Sequence, residues 1–187
     1  MPNRHLHRPN HILLPGGALF GALLVLFGLC QDTPAGILRG MGVILTTEDV
    51  LITDYIAIAG MGAAFVNAGL VTLISVLLIK LVKDPVNGAT LVTLGLMAGF
   101  SLFGKNILNI WPILAGTGLY ALLKGETFAH HVNLALRATA LSPVVSFMAV
   151  RFSPWLGVGM GLVIGFVMPP VAEHAHRVQN GMNLYSL

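Results

Sequence analysis

Residues 54–82, DYIAIAGMGAAFVNAGLVTLISVLLIKLV, set the terms on which this chain folds. An acid, Asp54, stands at one end and Lys80 and Lys83 stand at or just past the other, with one strongly polar side chain, Asn67, inside an otherwise apolar run. About 20 apolar residues cross the hydrocarbon core of a bilayer as a helix, and this run is longer than that. It sits in a chain that is 56% hydrophobic and only 9% charged, where soluble domains carry roughly 25% charged residues. So few charges cannot clothe a water-facing surface, and several further runs approach spanning length. The fold class expected is all-α, a polytopic transmembrane helical bundle of about 5–6 membrane segments, at least one of them short, broken or re-entrant.

Taken in order, residues 1–11 are a polar N-terminus carrying Arg4 and Arg8, followed by a first membrane helix over 12–30 with Pro15 tolerated in its first turn. The apolar part of 36–53 is too short to cross and suits an interfacial or re-entrant piece, and Thr46 followed by Asp49 reads as the start of a short helix over 47–53. The 55–82 crossing closes at Pro85. Segments 86–104 and 107–123 are separated only by Lys105 and Asn106, which predicts a hairpin of two crossing, antiparallel neighbours, with Trp111 at an interface and Pro112 as a kink. After the polar break KGETFAHHV, in which Glu126 and His130 lie one turn apart, residues 132–150 form a short or broken segment with Pro143 at its centre. A last helix over 154–171 is glycine-rich on one face and ends at Pro169 and Pro170, leaving a polar tail over 172–187. The whole chain reads as a single membrane domain.

Gly60, Ala64 and Ala68 recur every four residues, which places small side chains on one helical face where a neighbouring helix can approach closely. Asn67 needs a partner inside the bundle, either another helix or a solute path, because an unpaired amide in hydrocarbon costs several kcal/mol by order of magnitude. Arg137 either faces such a path or snorkels to the membrane surface. With a cytoplasmic N-terminus and a spanning 132–150 segment, Arg4, Arg8, Lys80, Lys83, Lys124 and Arg177 lie inside and Arg39, Lys105 and Arg151 outside, as the positive-inside bias prefers.

No P-loop, GxGxxG, HExxH, CxxC or GxSxG pattern occurs, and Cys30 is alone, so no catalytic residue, metal ligand or cofactor is assigned. On a helix His174 and His176 would point about 200° apart. What remains is a set of polar residues near interrupted helices: Asn67, Lys105, Asn109, Arg137 and Ser142. Discontinuous helices hold solutes at mid-depth in many transporters, and two cations in the set favour a polar or anionic solute. The function expected is therefore transporter- or channel-like. The alternatives are a structural or assembly subunit that recruits partner helices, and a membrane-embedded enzyme acting on lipid. The partners expected are the lipid bilayer and either a second copy of the chain or other membrane helices, with no nucleic acid.

The blocks LITDYIAIAGMGAAFVNAG (51–69), NGATLVTLGLMAGFSLFGKN (87–106) and NGMNLYSL (180–187) resemble an uncharacterised family of prokaryotic multi-pass membrane proteins, a domain of unknown function. The resemblance implies a polytopic protein of a prokaryotic cytoplasmic membrane and no established activity, so it assigns no site residue. Members that the chain resembles continue past the NLY block into further membrane segments, so the chain is expected to correspond to the first half of a longer, two-repeat architecture.

Overall fold

Residues 12–50, 52–83 and 86–182 are described by a computed structural model. They form helices α1 (Leu13–Gln31), α2 (Pro34–Thr46), α3 (Tyr55–Ala59), α4 (Met61–Val82), α5 (Gly88–Phe100), α6 (Trp111–Lys124), α7 (Val132–Ala138), α8 (Ser142–Arg151) and α9 (Pro154–Met182). Two 3₁₀ turns, Phe128–His131 and Thr139–Leu141, join α7 to its neighbours. Four units are long and apolar enough to cross a membrane: Leu13–Gln31, Met61–Val82, Phe128–Arg151 and Pro154–Ala175. The polar N-terminus, Arg4, Arg8, Pro85 and the side chains of the tail beyond Ala175, Arg177 among them, lie outside the described residues.

The directions of the elements follow from their close contacts. A β-carbon on Gly28 would sit 2.6 Å from the Gly62 carbonyl oxygen, and one on Gly69 would sit 2.6 Å from that of Gly21, so α1 and α4 run antiparallel with backbones touching at glycines. The close approach of α1 is thus made at Gly62 and Gly69, two turns apart, while of the Gly60, Ala64 and Ala68 row Ala64 and Ala68 are buried. Gly60 is not helical at all: its φ of 85° ends α3 and opens α4, and open space surrounds it. Ala64 instead packs with Ile44, Tyr55 and Ala63. The 55–82 segment is therefore a short turn of helix followed by a 22-residue crossing.

The hairpin departs most from expectation. Its arms, α5 and α6, have 13 and 14 residues, about 20 Å each at 1.5 Å per residue, too short to cross. Neither are they neighbours along their length, because α7 packs against both. The α5 arm leaves the Lys80 end of α4 and descends until residues 101–105 meet Asn67, six residues or about 9 Å inside the Met61 end. The α6 arm returns to the end it came from, where Lys124 pairs with Glu173 of α9 at 3.7 Å. This is a re-entrant hairpin whose tip, residues 101–110, is mostly buried in protein, with Phe103 and Leu108 facing outward. Such a tip is permitted at membrane depth only because it does not touch lipid with unpaired backbone.

Two prolines fall where their missing amide does least harm. Pro112 and Pro143 occupy the first turns of α6 and α8, whose amides have no helical partner, so Pro112 starts a helix instead of kinking one. Pro169 and Pro170 do not end the last helix, which continues to Met182. Proline at 169 removes the amide that would bond the Gly165 carbonyl, and the Thr117 hydroxyl of α6 donates to that oxygen instead, at 2.9 Å. The same contact requires Gly165, since a β-carbon there would collide with the Ile113 carbonyl. The described residues of 47–53 are likewise not a helix. Thr46 and Thr47 donate back to the Gly42 and Val43 carbonyls at the end of α2, and that helix is capped at its start by Thr33.

Lys80, Lys83 and Lys124 share one end of the bundle, while Cys30, Asp32, Glu48, Asp54 and Arg151 share the other, with Glu48 and Arg151 3.8 Å apart. In sealed vesicles a membrane-impermeant maleimide is expected to reach the exposed Cys30 from the side opposite that on which an impermeant acetylating reagent modifies the three terminal lysines. Lys105 should react from neither side until SDS is added; modification from the Cys30 side would mean that the hairpin tip emerges into water. For the proline substitute, Thr117→Val is expected to cost about 1 kcal/mol in the wild-type chain and nearly nothing in a Pro169→Ala background, where an amide again serves Gly165. A double-mutant cycle of thermal unfolding in detergent reads the difference.

Candidate functional site

Three interrupted elements converge on the hairpin tip: the α3–α4 break, the tip itself, and the Thr139–Leu141 turn between α7 and α8. The Asn67 amide donates to the Ser101 and Lys105 carbonyls, both at 2.8 Å. Asn109 donates to the Gly104 carbonyl at 2.9 Å and to the Ser146 hydroxyl of α8 at 2.8 Å, and its oxygen accepts from the Asn106 amide. The Asn106 oxygen caps the start of the next turn through the Leu108 and Asn109 amides, while its nitrogen reaches the Ile44 carbonyl and the Tyr55 hydroxyl. From the α3 side the Tyr55 amide donates to the Leu102 carbonyl at 3.1 Å.

Of the residues singled out in the sequence, Asn67, Lys105, Asn109 and Ser142 thus gather at one level of the bundle. Ser142 precedes Pro143, whose ring abuts Gly104. Arg137 does not join them. Its side chain folds back to the Asn133 carbonyl at 3.1 Å and lines a separate cleft with Glu126, His130, His131 and Glu173 at the Lys124 end. In that cleft Glu126 pairs with His131 at 2.6 Å, not with His130 one turn on, and the hydrogen bond holds the Glu126 carboxyl below its ordinary range.

Lys105 is the singular member. Its side chain is 1% exposed, yet no carboxylate among the described residues lies within ion-pair distance. The amine contacts the Met97 sulfur at 3.2 Å and lies 5.4 Å from the centre of the Phe100 ring. It floors a pocket of about 540 Å³ whose other walls are Ile52, Phe100, Phe103, Ala140 and Leu141. Elsewhere in the tip region the Asn67 oxygen and the Ser142 hydroxyl are buried with no hydrogen-bond partner among the described residues, and neither residue lines that pocket. The Lys105 amine, with spare donors at the floor of the pocket, is chemically equipped to bind a small polar or anionic group, whereas the free Asn67 oxygen can only accept, its two amide hydrogens being given to the Ser101 and Lys105 carbonyls.

Sequence reasoning passed over Asp49, Tyr55, Asn106 and Ser146. The Tyr55 hydroxyl donates to Asp49 at 2.9 Å, and both residues are fully buried. The TDY block and the Lys105–Asn106 pair carried a signal as polar residues at the ends of apolar runs; Ser146, inside an apolar run, carried none. These features define an integral membrane helical bundle built around a re-entrant hairpin. A family model described as a protein of unknown function (DUF1576) matches residues 33–187, and the chain belongs to that family. No curated protein and no solved structure matches it.

Burial pushes the Asp49 carboxyl from 3.8 up to about 6, against hydrogen bonds from Ser146, Tyr55 and Thr53 that pull the other way. Since the folded value lies above the unfolded one, the contribution to stability is fully present below about pH 4 and is lost as pH rises through about 6. The difference is worth at most about 3 kcal/mol. Asp49→Asn, a stand-in for the protonated acid, is therefore expected to flatten the fall in melting temperature between pH 4 and 7 and to melt above wild type at pH 8, as followed by intrinsic fluorescence in detergent.

Proposed function

We propose that this membrane protein is a transporter-type carrier that holds an anionic solute at the hairpin tip, with Lys105 as the counter-charge. The observation that carries the reading is the buried, carboxylate-free ammonium of Lys105 on a re-entrant hairpin. Ionisable side chains inside a membrane are expensive and mark substrate or ion paths, and interrupted helices around them are the usual carrier device. Arg137, out at the Lys124 end, belongs to the approach rather than to the tip. The excess of lysines at that end agrees with a cytoplasmic location for it, in the cytoplasmic membrane of a prokaryotic cell.

Stability and activity should separate at Lys105. Replacing it with methionine keeps the stem and removes a desolvated charge, so Lys105→Met is expected to melt at or above the wild-type temperature. Proteoliposomes offered radiolabelled phosphate, acetate, succinate and oleate are expected to accumulate at least one of them above empty liposomes, and Lys105→Met to lose that uptake at least ten-fold. Uptake unchanged in the variant, or none of the four accumulated, would remove the carrier reading.

A second reading, a subunit that recruits partner helices, is favoured by Gly95 and Gly99. They stand one turn apart on the outer side of α5 with open space where a β-carbon would be, a spacing that lets a foreign helix approach. Crosslinking in native membranes to a stable heteromeric partner, without solute flux, would support it.

A further inference from the structure

The pocket above Lys105 is unlike a site for a freely hydrated ion. Apart from the lysine, its walls are Ile52, Phe100, Phe103, Ala140 and Leu141, and nearly all of its surface is apolar. Phe100, Phe103 and Leu141 are between 36% and 41% exposed, and Ile52 is 71% exposed, so the walls open outward. Lys105, at the floor, lies level with Asn67 inside the span of α4, while Ile52 and Phe103, which pairs with Asp54, stand toward the Cys30 end. The mouth therefore opens on the apolar flank of the bundle, toward that end. About 540 Å³ falls within the roughly 300–1,000 Å³ of small-molecule sites.

We infer that the ligand of the Lys105 site is a single-chain anionic amphiphile that enters sideways from the bilayer, a long-chain carboxylate, with its carboxylate on the Lys105 amine and its chain along Phe100, Phe103 and Leu141. This rests on the carrier reading and names its substrate class. Charge complementarity selects the head: one cation, with no carboxylate of the described residues within ion-pair distance, meets one carboxylate. The walls select the tail. A hydrated phosphate or acetate would have to shed its water against an apolar rim with a single ammonium in compensation, whereas a fatty carboxylate already dissolved in the membrane brings a chain that matches the rim. The chain gains little by moving from lipid to protein, so discrimination falls on the head group.

Native mass spectrometry of the detergent-solubilised full chain, with palmitate, hexadecanol, acetate or inorganic phosphate added, tests this. Palmitate is expected to form a one-to-one adduct at least ten-fold more abundant than that of hexadecanol, to be reduced at least ten-fold in Lys105→Met, and to be blocked by Ala140→Phe, which fills the groove. The wild-type comparison of palmitate with hexadecanol and the two small anions stands even if Ala140→Phe does not fold. Binding of acetate or phosphate that depends on Lys105, without palmitate binding, overturns the amphiphile and leaves the anion site standing. Equal palmitate binding by wild type and Lys105→Met, or no Lys105-dependent binding of any probe, overturns both.

Discussion

The structure depends on one constraint, that backbone amides and carbonyls at membrane depth have no water to turn to. Ten consecutive residues, 101–110, leave helical geometry there, and their polar groups must be paired by the protein itself. Three asparagines do most of this work. Asn67 satisfies two carbonyls from the opposing helix, Asn109 takes a carbonyl and an amide within the tip and ties both to α8, and Asn106 caps the turn and ties it to Ile44 and Tyr55. A side-chain amide suits the role because it both donates and accepts. Each bond adds about 1 kcal/mol net, but removing Asn67 would strand two buried carbonyls at about 1–3 kcal/mol apiece, so its replacement acts on the fold before it acts on any ligand.

From that constraint the rest of the architecture follows. A tip that needs partners on every side must be surrounded, and the elements that surround it are themselves interrupted: Gly60 frees the chain to bring Tyr55 against Leu102, and the Thr139–Leu141 turn brings Pro143 against Gly104. Glycine contacts at Gly21, Gly28, Gly62 and Gly69, and at Gly116, Gly161 and Gly165, draw α1 onto α4 and α6 onto α9 closely enough to seal the flanks. Without a hydrophobic force between helices in lipid, that close packing is what holds the bundle together.

How much of this could be read from the residues differs by element. The membrane class and several apolar crossings were legible, and polar side chains that stand out against hydrocarbon singled out Asn67, Lys105, Asn109, Arg137 and Ser142, of which Arg137 lies apart; an interruption near Pro143 was legible too, though it falls at Thr139–Leu141. Helix ends set by tertiary partners were not. Pro169 reads as a terminator until Thr117, more than fifty residues earlier, supplies the missing donor, and Gly60 reads as one small residue in a row until its positive φ places it outside the helix. The hairpin arms looked long enough to cross because hydropathy counts 101–104 and 107–110 with the apolar runs on either side, while saying nothing of whether they are helical. Arg137 and Lys105 were indistinguishable as cations in sequence. Position on the element separates them, since Arg137 lies within a stem's reach of the membrane surface and Lys105 sits at the turning point.

That turning point is also where the bundle bears a load its packing does not require. The Asn67, Asn106 and Asn109 network uses the backbone of Lys105 and not its side chain: only the carbonyl is held, by Asn67. A leucine or methionine at 105 would leave every one of those hydrogen bonds in place and relieve the desolvation of an ammonium whose closest company is a thioether and a phenyl ring. Burying an unpaired cation costs several kcal/mol by order of magnitude, comparable to a sizeable share of a domain's whole stability. Among the described residues only the Met97 sulfur and the Phe100 ring offset that cost, and it is this imbalance on which the proposed anion site rests.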